Sequence, residues 1–240
     1  LERCRASAQE ENAFDIFAEM QLEMDPGKTK ATGQLFKTSL EKSLFSSPSA
    51  CIKSIEARLK KLYKKYAADD IKDIRLLEKL KSALEAITPA GFTRYQKLLE
   101  LLRGKEYGWN PADTGDRVVI FTERIETMKY LAERLRQDLG LKANAIQEIS
   151  GGMSDTEQQR IVEDFGRTES SVRVLVASDV ASEGLNLHYL SHRLIHFDIP
   201  WSLMVFQQRN GRIDRYGQQK RPDIRYMLME SDNKRIKGDI

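Results

Sequence analysis

RVVIFT, residues 117–122, decides how the second half of this chain folds. After its arginine the stretch is a continuous apolar run rich in β-branched residues, as expected for a parallel strand buried on both faces. Working outward, Ile125, Met128, Leu131, Ala132, Leu135 and Leu139 recur at helical spacing, and NAIQEI (144–149) reads as a short strand. Ser154 with Glu157 forms a capping-box signature, and Ile161, Val162 and Phe165 continue the helix behind it. VRVLVAS (172–178) and RLIHFDI (193–199) are further buried strands. Ser202 is placed to cap a helix carrying Arg209, Arg212 and Arg215, and DIRYMLM (223–229) alternates as an edge strand would. Strands separated by helices of this length predict an α/β fold, a right-handed parallel sheet flanked by helices. Ligands of such sheets sit beyond the carboxyl ends of the strands.

The first half reads differently. Ile52, Ile55, Leu59, Leu62, Tyr63 and Tyr66 recur at helical spacing through a lysine-rich stretch, and Ile71, Ile74, Leu77, Leu80, Leu84 and Ile87 do the same. TPAG (88–91) then stops that helix, and Tyr95, Leu98, Leu99 and Leu102 mark another. SSPS (46–49) and MDPGKTKATG (24–33) read as connections. The expected organisation is a helical region over 1–105, an α/β lobe over 106–232 and a tail over 233–240.

The chain has 240 residues, 40% hydrophobic and 31% charged, with mean hydropathy −0.52, which describes a soluble globular protein with length for a sizeable core. No apolar run approaches a membrane span, and no signal-peptide pattern opens the chain. The first residue is Leu1, so a piece of a longer protein is expected. A formal charge of +3 is too mild to argue for nucleic acid by itself. Cys4 and Cys51 lie far apart with no partner pattern, which argues against disulfides and thiolate metal sites and fits a reducing cytosol.

Four stretches carry candidate chemistry. Gly27-Lys28-Thr29 is the tail of a phosphate-binding loop, but the glycine required at position 22 is Leu22, so it reads as a plain connection. The chain therefore lacks a nucleotide cradle of its own, and no Asp-Glu pair follows a strand to hold magnesium. His188, His192 and His196 are spaced four apart, but 194–197 reads as strand, so they are expected to be structural and no metal site is expected. In VLVASDVASEGLNL (174–187), Ser178 and Asp179 emerge at a strand's carboxyl end, where a hydroxyl can meet a phosphate, and Gly184 lets a backbone approach a ligand. In QQRNGRIDRYGQ (207–218), arginines three apart share a helix face and suit phosphate oxygens, while Gly211 within a helix suggests close approach of another backbone or a ligand. On spacing alone, that triplet fits a solvated salt-bridge helix as well as a phosphate site.

Taken together and in order, these stretches resemble the second RecA-like lobe of superfamily two helicases. RVVIFTE is similar to motif IV, VASDVASEGLNL to motif V and QQRNGRIDRYGQ to motif VI, which Gln208 to Arg215 match throughout. EGLNL, FDIPWS (197–202) and RYGQ resemble the Swi-Snf-type double-stranded DNA translocases, in particular bacterial RapA-like ones. The resemblance covers about 116 to 230 strongly and 35 to 105 weakly. It implies that Arg212 and Arg215 are arginine fingers reaching the γ-phosphate of ATP held by the other lobe, with Gln208, Glu183 and Gly184 facing that nucleotide. It implies nucleic-acid contacts by Thr122, Gly151, Gly152 and Ser178, although Ser150 stands where relatives often have histidine. The implied cofactors are ATP and Mg2+, both held mainly by an N-terminal lobe. The implied partners are double-stranded DNA, that lobe, and RNA polymerase or a defence complex, in a bacterial cytoplasm without a membrane. The isolated chain is then expected not to hydrolyse ATP. A helicase-like scaffold without catalysis and an RNA or single-strand helicase are the rival expectations.

Overall fold

The structure is a computed structural model and describes residues 1–22, 30–66, 72–179 and 186–236, with the backbone alone at 30–33. Two compact units emerge: Leu1–Arg3 with Lys97–Leu228, and Cys4–Gln96 with Met229–Ile240. They do not coincide with the divisions expected at 105/106 and 232/233. Among the described residues, no helix is long and apolar enough to cross a membrane.

The first unit is built on β1 (Glu2–Arg5), β2 (Arg117–Thr122), β3 (Ile146–Ile149), β4 (Val174–Ser178), β5 (Ser191–His196) and β6 (Asp223–Glu230). They form one six-stranded sheet in the order β1-β6-β5-β2-β4-β3. The β3–β4, β4–β2, β2–β5 and β5–β6 pairings are parallel, as the buried apolar runs predict. β2 lies inside the sheet and is buried at all six positions. Val119 and Phe121 join Ile149, Leu175, Ala177, Leu194 and Phe165 in one core cluster. The alternate residues Val118 and Ile120 are buried as completely. The helices α6 (Ile125–Asp138) and α7 (Asp155–Gly166) cover the sheet, and the capping box of Ser154 and Glu157 starts α7 as expected.

Two expectations about the sheet need correction. β6 is not an edge strand, because it lies between β5 and β1. The edge is β1, placed by sequence within the helical region; ERCR is short and polar, and only Cys4 of it is buried. The β3 and β4 strands also start two residues later than their apolar runs, a short 3-10 turn (Ala143–Ala145) preceding β3.

Arg117 is fully buried and works as a cap for the end of α7. Its Nη1 donates to the carbonyl of Asp164 at 2.9 Å, and it also reaches the carbonyls of Phe165 and Arg167, while Nε donates to Thr114 O at 3.2 Å. Helix ends leave such carbonyls without intrahelical partners, and a cation there also meets the negative end of the helix dipole. Burial, with nearby Arg173 adding to it, brings the guanidinium down to about 10, so it stays charged at neutral pH.

The second unit is helical. α1 (Ala8–Glu19) packs against α4 (Lys72–Glu85), and α3 (Pro48–Lys65) packs against both α2 (Lys30–Ser46) and α4. A capping box of Ser7 and Glu10 opens α1, and Thr93 Oγ1 donates to the same Glu10 carboxylate at 2.7 Å. Burial raises the Glu10 carboxyl, and those hydrogen bonds pull it back down. Ser47 caps α3 with Pro48 in its first turn, so SSPS is a helix junction. The connection expected over 24–33 is shorter, because α2 already begins at Lys30; Gly27, Lys28 and Thr29 lie outside the described residues. α5 (Thr93–Arg103) starts in this unit and continues into the first.

Replacing Arg117 by alanine strands several buried carbonyls, each lost charge-assisted bond being worth about 1.5–3 kcal/mol. We expect R117A to lower the unfolding free energy by about 3 kcal/mol in urea titrations, and R117K to recover only part of that loss, since an ammonium cannot span the same carbonyls.

Candidate nucleotide and nucleic-acid face

The strand register brings the carboxyl ends of the sheet level with one another. Thr122 stands opposite Ser178, and Phe121 opposite both Ala177 and His196. Beyond these ends lie Ser150 to Gly152 after β3, Asp179 after β4 and Asp198 after β5. α8 (Leu203–Asn210) follows, with Ser202 at its N-cap but no capping bond from the serine side chain.

Arg209 is the one arginine inside α8 and is fully buried. Its Nε and Nη2 donate bidentately to Asp179, the second at 2.8 Å, and Nη1 donates to the carbonyl of Asp198 at 2.8 Å. Nη2 also lies 3.5 Å from Asp198 Oδ1, and the guanidinium stands over the Phe121 ring at 5.7 Å. The Asp198 carboxylate accepts from Thr122 Oγ1 at 2.6 Å and from the Glu123 amide at 2.8 Å. One cation thus ties the ends of β2, β4 and β5 to α8. Burial works against the charge of Arg209, but Asp179 and Asp198 outweigh it and raise the group further. Burial pushes the Asp179 carboxyl up while Arg209 pulls it down; the bidentate contact fits the ionised pair.

His196 completes the cluster. Its ring packs with Phe206 at 5.0 Å and Tyr226 at 4.8 Å, which also contact each other at 5.1 Å; Nε2 lies 2.8 Å from Asn210 Oδ1, and Nδ1 lies 3.4 Å from Arg209 Nη1. An amide oxygen only accepts and a guanidinium only donates, so the neutral tautomer with its proton on Nε2 satisfies both contacts. Burial lowers its pKa to about 4, with Asn210 opposing and Arg209 assisting. The even spacing of His188, His192 and His196 does not bring them together on a helix: His188 sits in a turn, and the other two lie on β5.

The three arginines do not share a helix face. α8 ends at Asn210, and Arg212 and Arg215 lie in the turns that follow. Asn-Gly is a turn signal, and it prevails here over the helical spacing of the arginines. Gly211 has φ −63, and a Cβ on it would lie an ordinary 3.5 Å from the Gln207 carbonyl, so no other backbone makes the close approach expected there. Burial sorts the segment instead. Arg209 and Ile213 point inward, Arg212 is half-buried and Arg215 exposed. The Leu187 amide donates to Arg212 O at 3.2 Å, and Arg215 Nη1 donates to Asn186 Oδ1, tying the turns to the end of the 174–187 stretch. Gln218 Nε2 reaches the carbonyls of His188, Ser191 and Ile213 at 3.2, 2.9 and 3.1 Å, and Gly217 before it adopts φ +97, which favours glycine.

Other sequence-selected residues have varied settings. Gly151 and Gly152 are exposed in the turn between β3 and α7, and Gln208 is half-buried. Thr122 and Ser178 are buried, Thr122 with its hydroxyl on Asp198. Glu183 and Gly184 lie outside the described residues. Sequence reasoning left the work of Arg209 unassigned, named His196 only as a structural histidine, and missed Asp198 and Gln218. The SD after β4 and the D after β5, each at a strand's carboxyl end, were the available signals.

Residues 93–217, more than half of the chain, match the helicase conserved C-terminal domain family, and the chain belongs to that family. It is similar to the RNA polymerase-associated protein RapA of Vibrio campbellii, 31% identical over 121 residues, which are 50% of this chain and 12% of the relative. RapA of Photobacterium profundum is 29% identical over 143 residues, 60% of this chain and 14% of that protein. The chain therefore spans only a small part of the relatives it matches. Its fold is similar to the C-terminal part of the Fun30 ATPase domain, with TM-score 0.61, 16% identity and coverage of 95% of this chain and 84% of that one. The Pyrococcus furiosus Hef helicase domain gives 0.56, 19%, 95% and 54% respectively. The resemblance read from the motifs agrees with these findings: the chain carries a helicase conserved C-terminal domain and is similar to RapA in sequence and to the C-terminal part of the Fun30 ATPase domain in fold.

Removing Arg209 leaves two carboxylates facing each other without their cation. R209A is expected to cost about 3–5 kcal/mol of stability by chemical denaturation, with R209K recovering less than half. His196 binds its proton less well folded than unfolded, so its contribution is complete above about pH 6.5 and lost as pH falls toward 4. Over that window the loss amounts to roughly 3 kcal/mol. Denaturation midpoints measured across it should fall with pH, and H196Q should be less stable at pH 7 but show a flatter profile.

Proposed function

We propose that this chain is the C-terminal motor lobe of an ATP-dependent DNA translocase, in which Arg212 and Arg215 act as arginine fingers. The observation that carries this is the inward anchoring of Arg209 and Ile213, which holds the turns bearing Arg212 and Arg215 beyond the carboxyl ends of the parallel strands. That edge is where open α/β sheets bind ligands. A guanidinium there can donate two parallel hydrogen bonds to phosphate oxygens and offset charge as the γ-phosphoryl group is transferred. ATP and its Mg2+ are held mainly by an N-terminal lobe of the same protein. Gln208, Glu183 and Gly184 line this lobe's side of the nucleotide, so hydrolysis depends on closure of one lobe on the other. The exposed turn of Gly151 and Gly152 supplies backbone amides for a nucleic-acid phosphate. Thr122 and Ser178 form the buried floor of the same face, and Thr122 acts there through Asp198.

Double-stranded DNA is the proposed track, on the similarity to Swi-Snf-type proteins. RapA is named as RNA polymerase-associated, and an RNA polymerase is the proposed partner of the full-length protein in a bacterial cytoplasm.

In the full-length protein, R212A and R215A should each lower DNA-stimulated ATP turnover on the order of 10³-fold while nucleotide affinity stays within a few-fold. The 240-residue chain alone should show no DNA-stimulated hydrolysis. Turnover by the chain alone would refute the division of labour between lobes. Wild-type rates in both variants would refute the fingers and favour a scaffold role.

A further inference from the structure

α3 packs between α2 and α4 and turns Cys51, Ile55, Leu59 and Leu62 inward. At about 100° per residue, Lys53, Lys60 and Lys64 fall within about 40° of one another on the opposite side, with Lys61 beside them. All four are exposed, and among the described residues none of them is in an ion pair. Two other lysines are paired. Lys81 pairs with Glu85 at 2.5 Å, and Lys97 with Glu100 at 3.1 Å. Glu56, the one carboxylate next to the row on α3, lies 3.6 Å from Lys81 on α4. Among the described residues the row therefore carries four unpaired ammonium groups along about 16 Å of helix, with Glu56 the one carboxylate of α3 beside them.

The chemistry of the face narrows what it fits. Ala57 is the only apolar residue within the row, and Tyr63 at its border gives its hydroxyl to Glu78. Protein interfaces are anchored by aromatic, Met and Arg side chains and are depleted in Lys. Lysine ammonium groups are point charges without the planar fork that selects carboxylates, and they suit a polymer of closely spaced phosphates. We propose that the Lys53–Lys60–Lys61–Lys64 face of α3 binds the phosphate backbone of duplex nucleic acid without regard to sequence, giving the helical unit a contact of its own. The choice of nucleic acid rests on membership in the helicase family and is independent of the finger assignment.

The test is fluorescence anisotropy of the whole chain with a labelled duplex between about 50 and 200 mM salt. K53Q/K60Q/K64Q should bind about tenfold or more weakly at the lower salt, with the slope of log affinity against log salt shallower by about 2–3, since each phosphate contact contributes about 0.9. K53R/K60R/K64R should bind as the wild type does. K105Q/K129Q/K142Q makes the same charge change on exposed lysines of the sheet unit and should stay within about threefold of wild type. Equal weakening by both glutamine triples would overturn the proposal in favour of a net-charge effect. An unchanged affinity in the first triple would also overturn it, and loss there of binding to polyglutamate instead would assign the face to an acidic protein. None of these variants touches Arg212 or Arg215, so failure here leaves the finger assignment standing.

Discussion

The sheet unit depends on a buried guanidinium. Arg209 has no solvent to fall back on, so each of its donors needs an acceptor inside the protein. Asp179 and Asp198 supply them, together with a backbone carbonyl and a histidine nitrogen. Because those acceptors come from the ends of β4 and β5, and Asp198 in turn holds Thr122 at the end of β2, the cation sets where three strand ends stand relative to α8. A hydrophobic contact could fill the same volume, but it could not specify which carboxylate meets which strand. Buried ion pairs are poor sources of net stability and better sources of a single arrangement, and a single arrangement is what the turns carrying Arg212 and Arg215 require.

The same reasoning explains why the three arginines of one motif do different work. Arg209 and Ile213 are four residues apart and both turn inward, while Arg212 and Arg215 fall outside that alternation. An arginine at the surface has several rotamers to choose from, but the buried Arg209 and Ile213 fix where the backbone of the segment carrying Arg212 runs. The Leu187 amide on Arg212 O and the Arg215 contact with Asn186 restrict the turns further. Less conformational entropy is then lost when the guanidinium groups meet a phosphate.

What the sequence disclosed and what it concealed divide along the same line. RVVIFT, VLVAS and the helices with apolar stripes were legible because burial on both faces, or along one stripe, leaves a periodic trace in the residues themselves. β1 left no such trace: ERCR is a strand because β6 offers it hydrogen-bond partners. The end of α8 was legible in principle, since Asn210-Gly211 is a turn signal, but the regular spacing of the arginines pointed the other way. The partners of Asp198 and His196 were beyond reach by pattern alone, although a D after β5 and a structural histidine could be read. Their significance comes from lying across the sheet from Thr122 and Asp179, a relation between strands and not between neighbours in sequence.

Net charge illustrates a similar limit. A sum of +3 suggests a neutral surface with little to say to a polyanion. It is the balance of unlike parts. Arg193 is held by Asp116 at 2.7 Å and by the Tyr107 carbonyl, Arg117 faces helix carbonyls, and Arg209 is enclosed by carboxylates. These cations build the sheet unit and project little field into solvent. Lys53, Lys60, Lys61 and Lys64 of α3 contribute to the same sum but are exposed and, among the described residues, in no ion pair, so each adds to the local potential. Attraction to phosphate depends on that local field within about a Debye length, on the order of 8 Å at physiological salt. A protein can therefore be nearly neutral overall and still present a polyanion with a charged track, where several of its other cations are occupied inside the fold.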